Sequence, residues 1–197
     1  MKSTIALSAA SCCLLAAAPA LANPPAGVVS GFERLESVSY LTVSTTVAGV
    51  EQKSHEWRAG LGTGGGYSYS MPRATLEYVW ESGLSIGLCV GIQWSWSKSK
   101  VSTNAELLEP RVGYYLELGN GIGLWPRLGL TLRDLKGPAV LDASHTALTL
   151  EVPLMSFRNP IGSMTLGPFL DLGLGGGKGD VDQSVTELGL ALGFQFR

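Results

Sequence analysis

Charged side chains are scarce in this sequence: Asp, Glu, Lys and Arg make up 15% of 197 residues, against ~25% in ordinary soluble proteins. With a net charge of −2 and no basic cluster, nucleic-acid binding has no electrostatic basis. Past the N-terminal segment no run of 18 apolar residues occurs, which excludes membrane-spanning helices. The 45% hydrophobic content and small net charge also exclude a disordered chain. Only His55 and His145 are available for imidazole chemistry. Glycine is abundant instead: 26 of 197 residues, nearly twice the usual ~7%. Mean hydropathy is +0.21, high for a chain without an apolar helix. These properties suit a membrane barrel.

The N-terminus reads as a secretory signal peptide over residues 1–22. Lys2 supplies the positive start, Ile5 to Ala18 an apolar core, and Ala20, Leu21 and Ala22 a small-x-small cleavage site before Asn23. Cys12 and Cys13 fall inside this leader, so Cys89 is the single cysteine of the mature chain and no internal disulfide is expected. Residues 23–36 are Pro/Gly-led and read as a short periplasmic lead-in. Residues 37–197 form the expected barrel, one domain in length.

From there on, apolar residues recur at every second position. Leu84, Ile86, Leu88, Val90, Ile92, Trp94 and Trp96 alternate with Ser85, Gly87, Cys89, Gly91, Gln93 and Ser95, a period of two that only a strand produces. The same pattern recurs from Arg73 to Trp80, Leu108 to Leu118, Ile122 to Arg133, His145 to Pro153, Met164 to Gly175 and Thr186 to Arg197. Short turns (Glu81 to Gly83, Gly119 to Gly121, Arg158 to Gly162) alternate with longer polar stretches (Ser97 to Glu106, Asp134 to Ser144, Gly176 to Ser184). Short periplasmic turns and long external loops are the outer-membrane arrangement. Seven strands are plain, and an even barrel takes Ser37 to Ala48 as its first. The stretch from Gly49 to Tyr69 reads either as a loop or as an extension of the first hairpin.

The charges tell the two faces apart. In the seven plain strands the apolar face carries no Asp, Glu, Lys or Arg. The other face carries Arg73, Glu77, Glu109, Arg111, Glu117, Arg127, Arg133, Glu151, Asp171 and Glu187 together with most of the glycines. A lipocalin-like soluble barrel would be apolar inside. Lipid accepts bulk and rejects charge, so the charged face points inward and the apolar face outward. Counting from the tight turns sets Arg127 opposite Gly113, Arg111 opposite Gly129, Glu77 opposite Gly87 and Arg73 opposite Gly91, each long side chain beside a residue without one. Tyr78, Trp80, Phe194 and Phe196 mark one membrane interface, and Trp94 and Trp96 the other.

With these strands on the page, residues 37–197 resemble the small eight-stranded outer-membrane β-barrel proteins around OmpX and the OmpA transmembrane domain. The final strand, Glu187 to Phe196, looks like the signal read by the barrel assembly machinery, although Arg197 follows where that group typically ends on an aromatic residue. The fold class expected is all-β, an eight-stranded antiparallel up-and-down transmembrane barrel. The resemblance implies a bacterial outer-membrane location, contact with outer-membrane lipid and lipopolysaccharide, and a monomer. The group includes anchors, adhesins, small pores and lipid enzymes.

Catalytic, cofactor-binding and metal sites are expected to be absent. Ser144 and His145 with Glu151 look superficially like the sets of barrel enzymes that trim lipid A, but adjacent strand residues point to opposite faces and cannot share a proton. Asp180 and Asp182 are too few to specify a cation. Gly62–Gly66 and Gly173–Gly177 lack the Lys-Ser/Thr of a phosphate loop. Eight strands leave an interior that side chains just fill. The expected function is therefore a structural or surface-interaction barrel plugged by its own polar side chains. A narrow pore for small solutes is the alternative, and a lipid-modifying enzyme stands behind both.

Overall fold

The structure, a computed structural model, describes residues 26–61, 69–96, 102–120, 122–136, 143–156, 162–178 and 181–196. The expected leader, Gly62–Gly66 and Asp180 lie outside these residues, as do the side chains of Trp94 and Trp96. The strands are β1 (Gly27–Val47), β2 (Val50–Leu61), β3 (Arg73–Val79), β4 (Leu84–Trp96), β5 (Ser102–Tyr114), β6 (Leu116–Gly119), β7 (Ile122–Leu124), β8 (Arg127–Lys136), β9 (Ala143–Glu151), β10 (Leu154–Ser156), β11 (Gly162–Lys178) and β12 (Val181–Phe196). Every pairing is antiparallel, and β1 pairs with β12, which closes the sheet on itself. The twelve segments make eight staves, because β2 with β3, β5 with β6, β7 with β8, and β9 with β10 each follow one line. Closure removes most of the wall edge; among the described residues β2 pairs with β1 alone and β6 with β7 alone.

Two devices divide the staves. Proline has no N–H to give the ladder, and the fifth and sixth staves break at Pro126 and around Pro153. There Tyr114 N donates to Pro126 O and Trp125 N to Pro153 O, each at 3.0 Å. The second device is a bulge in β1. Phe32 pairs with Phe194 but Glu36 with Leu192, so β1 spends two more residues than its partner, and Arg34 sits there at φ 51°. Below the bulge β1 pairs with β3, and above it with β2.

Several expectations change. The first strand begins at Gly27, not Ser37, so most of the expected lead-in is wall. Of the two readings of the Gly49 to Tyr69 stretch, extension of the first hairpin holds over β2, which is joined to β1 by a two-residue turn at Ala48 and Gly49, both at positive φ, the backbone that tight hairpins require. Much of what reads as external loop is also strand, since β5 starts at Ser102, β8 runs to Lys136, and β11 and β12 leave only residues 179 and 180 between them. On those extensions the outward side turns polar, as at Asn104, Glu106, Asp134 and Lys136, while Ala105 and Leu135 are buried inside, so the apolar-out alternation ends before the hydrogen-bonded ladder does.

The facing of the wall follows the alternation. β3 and β8 alternate strictly between buried and exposed residues. Leu76, Ile86, Leu88, Val112, Leu128, Leu188 and Leu190 are all exposed on the outside, while Arg73, Glu77, Glu109, Arg111, Arg127, Glu151, Asp171 and Glu187 are buried inside. The register is the expected one, with Arg111 opposite Gly129, Arg127 opposite Gly113 and Glu77 opposite Gly87. A Cβ on Gly87 would lie 2.0 Å from Glu77 Cγ, so the glycine is what lets that carboxylate into the barrel.

Candidate functional site

The site to judge is the lumen, which is layered. At the end that holds both described chain ends, Val29, Val79, Tyr115, Trp125 and Met155 form an apolar floor. Tyr115 and Trp125 meet edge to face with centroids 6.2 Å apart. At the far end Leu41, Val43, Tyr69, Ala147 and Val185 form one apolar cluster and Met71, Ala105, Leu107 and Leu135 another, with Arg133 and His145 buried at the same height, the Arg133 guanidinium 5.8 Å from the Tyr69 ring centroid. Between the floor and this far layer lies a charged layer.

That middle layer is a continuous ion-pair network. The Arg111 guanidinium donates to both oxygens of Glu33 (2.5 and 2.9 Å), and to Glu77. Arg127 donates to Glu33, to Glu77 at 3.1 Å and to Glu151 at 3.0 Å. Arg34 forks onto Asp171 (2.5 and 3.1 Å), reaches Glu151 through Nε at 2.9 Å, and stacks 3.9 Å above the Phe169 ring. Arg73 pairs with Glu109, whose Oε2 also accepts from the Thr131 hydroxyl at 2.9 Å. Four arginines thus meet five carboxylates, all nearly inaccessible to solvent. Burying so many charges is tolerable only because each is paired and hydrogen-bonded.

The chain itself enters the lumen between β2 and β3. Tyr69 N and Ser70 N donate to Glu187 Oε2 at 2.7 and 3.1 Å, Tyr69 O accepts from Arg73 Nη2 at 2.9 Å, and Met71 joins the far apolar layer. Glu187 is held by these amides and by the Ser39 hydroxyl at 2.6 Å. Glu117 is not part of the plug. It is exposed on β6, where the hairpin projects past the barrel rim and both faces meet solvent.

Two principal members of the network, Glu33 and Arg34, lie where the sequence reads as lead-in. They are neighbours, yet both are buried, at 3% and 1% exposure. Strict alternation would send one of them outward, and the bulge sends both inward. Because the bulge adds two residues, the parity of Ser37, Ser39 and Leu41 beyond it is preserved. An adjacent opposite-charge pair in an otherwise apolar segment was the available signal.

The remaining candidates stay apart. Ser144 faces outward and donates to Asp134 at 2.6 Å, while His145 is buried inside, so the two side chains do not meet. His55 is exposed on β2, 3.1 Å from Thr42 Oγ1 and stacked on Tyr40. Asp182 is exposed on β12. No group of three or more metal-ligating side chains occurs among the described residues. Cys89 is fully buried beside Glu33, Sγ to Oε2 3.9 Å.

The closed eight-stave barrel with an apolar outside and a charged inside has counterparts among solved structures. Neisserial surface protein A superposes with a TM-score of 0.50 at 12% identity, covering 85% of this chain and 97% of that one. The fold is that of the small eight-stranded outer-membrane barrels. OprG of Pseudomonas aeruginosa (TM-score 0.46, 10% identity, 87% and 95% covered) and the attachment invasion locus protein Ail of Yersinia pestis (0.41, 13%, 87% and 99%) are more distant matches. No protein-family profile matches the chain, and no curated protein matches it.

Proposed function

We propose that this chain is an integral protein of the bacterial outer membrane, exported behind a cleaved leader, whose barrel is non-conducting and serves a structural or surface-interaction role. The layered lumen carries this reading. A path for solute would have to cross the apolar floor, the far layer and between them an ion-pair network in which every charged side chain already holds an opposite charge. Burial of an unpaired charge costs several kcal/mol, so parting the network for a passing ion is unfavourable at every step. The exposed aliphatic wall, with Tyr78, Trp80 and Phe196 toward the periplasmic end, is what a bilayer selects.

The outward-facing feature is the β1–β2 hairpin. Among the described residues β2 pairs with β1 alone, so its other edge presents free backbone donors and acceptors, the element by which an extended segment of a partner adds to a sheet. Trp57, 72% exposed, stands on this strand. Lipopolysaccharide is the expected lipid neighbour, the barrel assembly machinery the partner in biogenesis, and the barrel works as a monomer.

Planar-bilayer recording tests the closed lumen. Folded protein should give no stepwise conductance at voltages where a porin opens. Reproducible unitary steps from the wild-type protein would replace this reading with that of a narrow pore.

A further inference from the structure

A single carboxylate stands on the apolar outer wall at the middle of its height. The bulge in β1 preserves parity, so Glu36 keeps the outward side that it shares with Phe32 and Val38, and all three are exposed. On the neighbouring strand β12 the apolar outward positions are Leu188, Leu190, Leu192, Phe194 and Phe196, followed above by the polar Thr186. Glu36 pairs with Leu192, the central one. The apolar band of such a wall is about 25 Å tall, which leaves the carboxylate about 12 Å from either headgroup region. Other exposed carboxylates among the described residues, such as Glu106 and Asp134 toward the external end and Glu117 past the rim, stand off this band. Among the described residues Glu36 makes no side-chain hydrogen bond or ion pair.

Lipid rejects charge on this face, and an ionisable side chain kept inside a membrane marks a functional contact. The group complementary to it is a cation at the same depth. Lipids do not supply one, because their charged groups stay in the headgroup regions. Nor does this chain: its exposed lysines among the described residues, Lys53 and Lys136, lie toward the external end. A second copy related by a two-fold axis along the membrane normal would set Glu36 against Glu36, like against like. We propose that the wall around Glu36 docks a different integral outer-membrane protein, one that presents a lysine or arginine on its own lipid-facing surface at mid-depth. The cation pairs with Glu36, while Phe32, Val38, Leu190 and Leu192 pack around the contact. Both charges are already out of water before they meet. Pairing therefore gains the attraction of a low-dielectric medium without a further desolvation cost.

This inference rests on the reading that the wall faces a membrane. A benzophenone side chain in place of Val38, the next outward position above Glu36, is irradiated in the outer membrane of the cells that produce the protein, and the adduct is mapped by peptide mass spectrometry. The expected product joins this chain to one other outer-membrane protein, beside a lipid-facing Lys or Arg. Glu36→Gln should lower its yield by more than about tenfold, as loss of one partner of a desolvated charge pair does, and Gln at the partner's basic residue should do the same. In lipid vesicles holding this barrel alone, Glu36→Gln should raise the urea midpoint, because the wild-type carboxylate there has no cation. A lower midpoint would show that the chain itself satisfies Glu36 and would overturn the proposal. So would an adduct with a second copy of this chain, a mapped contact without a basic residue, or a yield indifferent to Glu36→Gln. A yield no greater than that of the same probe at Leu128, on β8 across the barrel, would overturn it too. Absence of the wild-type protein from the outer-membrane fraction would instead refute the membrane reading on which it stands.

Discussion

Replacing Arg127 by Met tests the charged layer most directly. Met keeps most of the stem that lies over Gly113, where a Cβ would come within 2.7 Å of Arg127 Cγ, so packing changes little while the charge disappears. The guanidinium serves Glu33, Glu77 and Glu151. Without it three arginines face five carboxylates, and the surplus negative charge sits in a space closed by the apolar floor and the far layer. Removing one partner of a buried ion pair costs about 3–5 kcal/mol. Lys136→Met removes an ammonium whose one described partner is Glu106, both more than half exposed, and such pairs contribute about 0–1 kcal/mol. Urea titration of barrels folded in lipid vesicles, followed by tryptophan emission, measures both. A second variant carrying Arg127→Met with Glu151→Gln should recover part of the loss, because it removes one of the stranded carboxylates. An Arg127→Met barrel within about 1 kcal/mol of wild type would show that water reaches this layer and that the lumen is not sealed.

Leu128→Arg places a charge on the outer wall near mid-strand and should cost about 2–4 kcal/mol of folding in lipid. Thr131→Ser, which keeps the hydroxyl given to Glu109, should be nearly silent in the same titration, and a reversed order would mean that the two faces are misassigned. Thr131→Arg should fold poorly, because Thr131 is fully buried between Glu109 and Thr149 and lies beyond the reach of solvent at the outer mouth. Gly87→Ala should cost about 1–3 kcal/mol by overpacking, since its Cβ would collide with the Glu77 side chain. Loss of stability should appear as a lower urea midpoint with an unchanged slope. Cys89 should resist maleimide in the folded barrel and react once the chain is unfolded. Rapid labelling of the native protein would place an aqueous path beside Glu33.

The expected strands and facing follow from properties local to each stretch of chain. A period of two, such as that from Leu84 to Trp96, needs no knowledge of the rest of the fold, and neither does the absence of charge from its apolar side. Counting from the turns was enough to put Arg111 beside Gly129, because hairpin register propagates residue by residue from the turn. The inward set of charges is correct with the exception of Glu117, whose strand leaves the barrel before it can be enclosed.

Tertiary structure decided the remainder. The bulge at Arg34 has no period to reveal it: its effect is to break alternation, and it is stable only because Asp171, Glu151 and the Phe169 ring wait across the lumen from strands more than a hundred residues away. The entry of Tyr69 and Met71 into the barrel likewise depends on Glu187 and on Leu107, which reach them only once the sheet has closed. The apolar floor and the far clusters share inward parity with the charges, so their sequence positions do not distinguish them from the middle layer. Their height in the barrel follows from the stagger of all eight staves together. Alternation along each strand determined which side of the wall a residue faces; closure of the barrel determined which residues meet one another inside it.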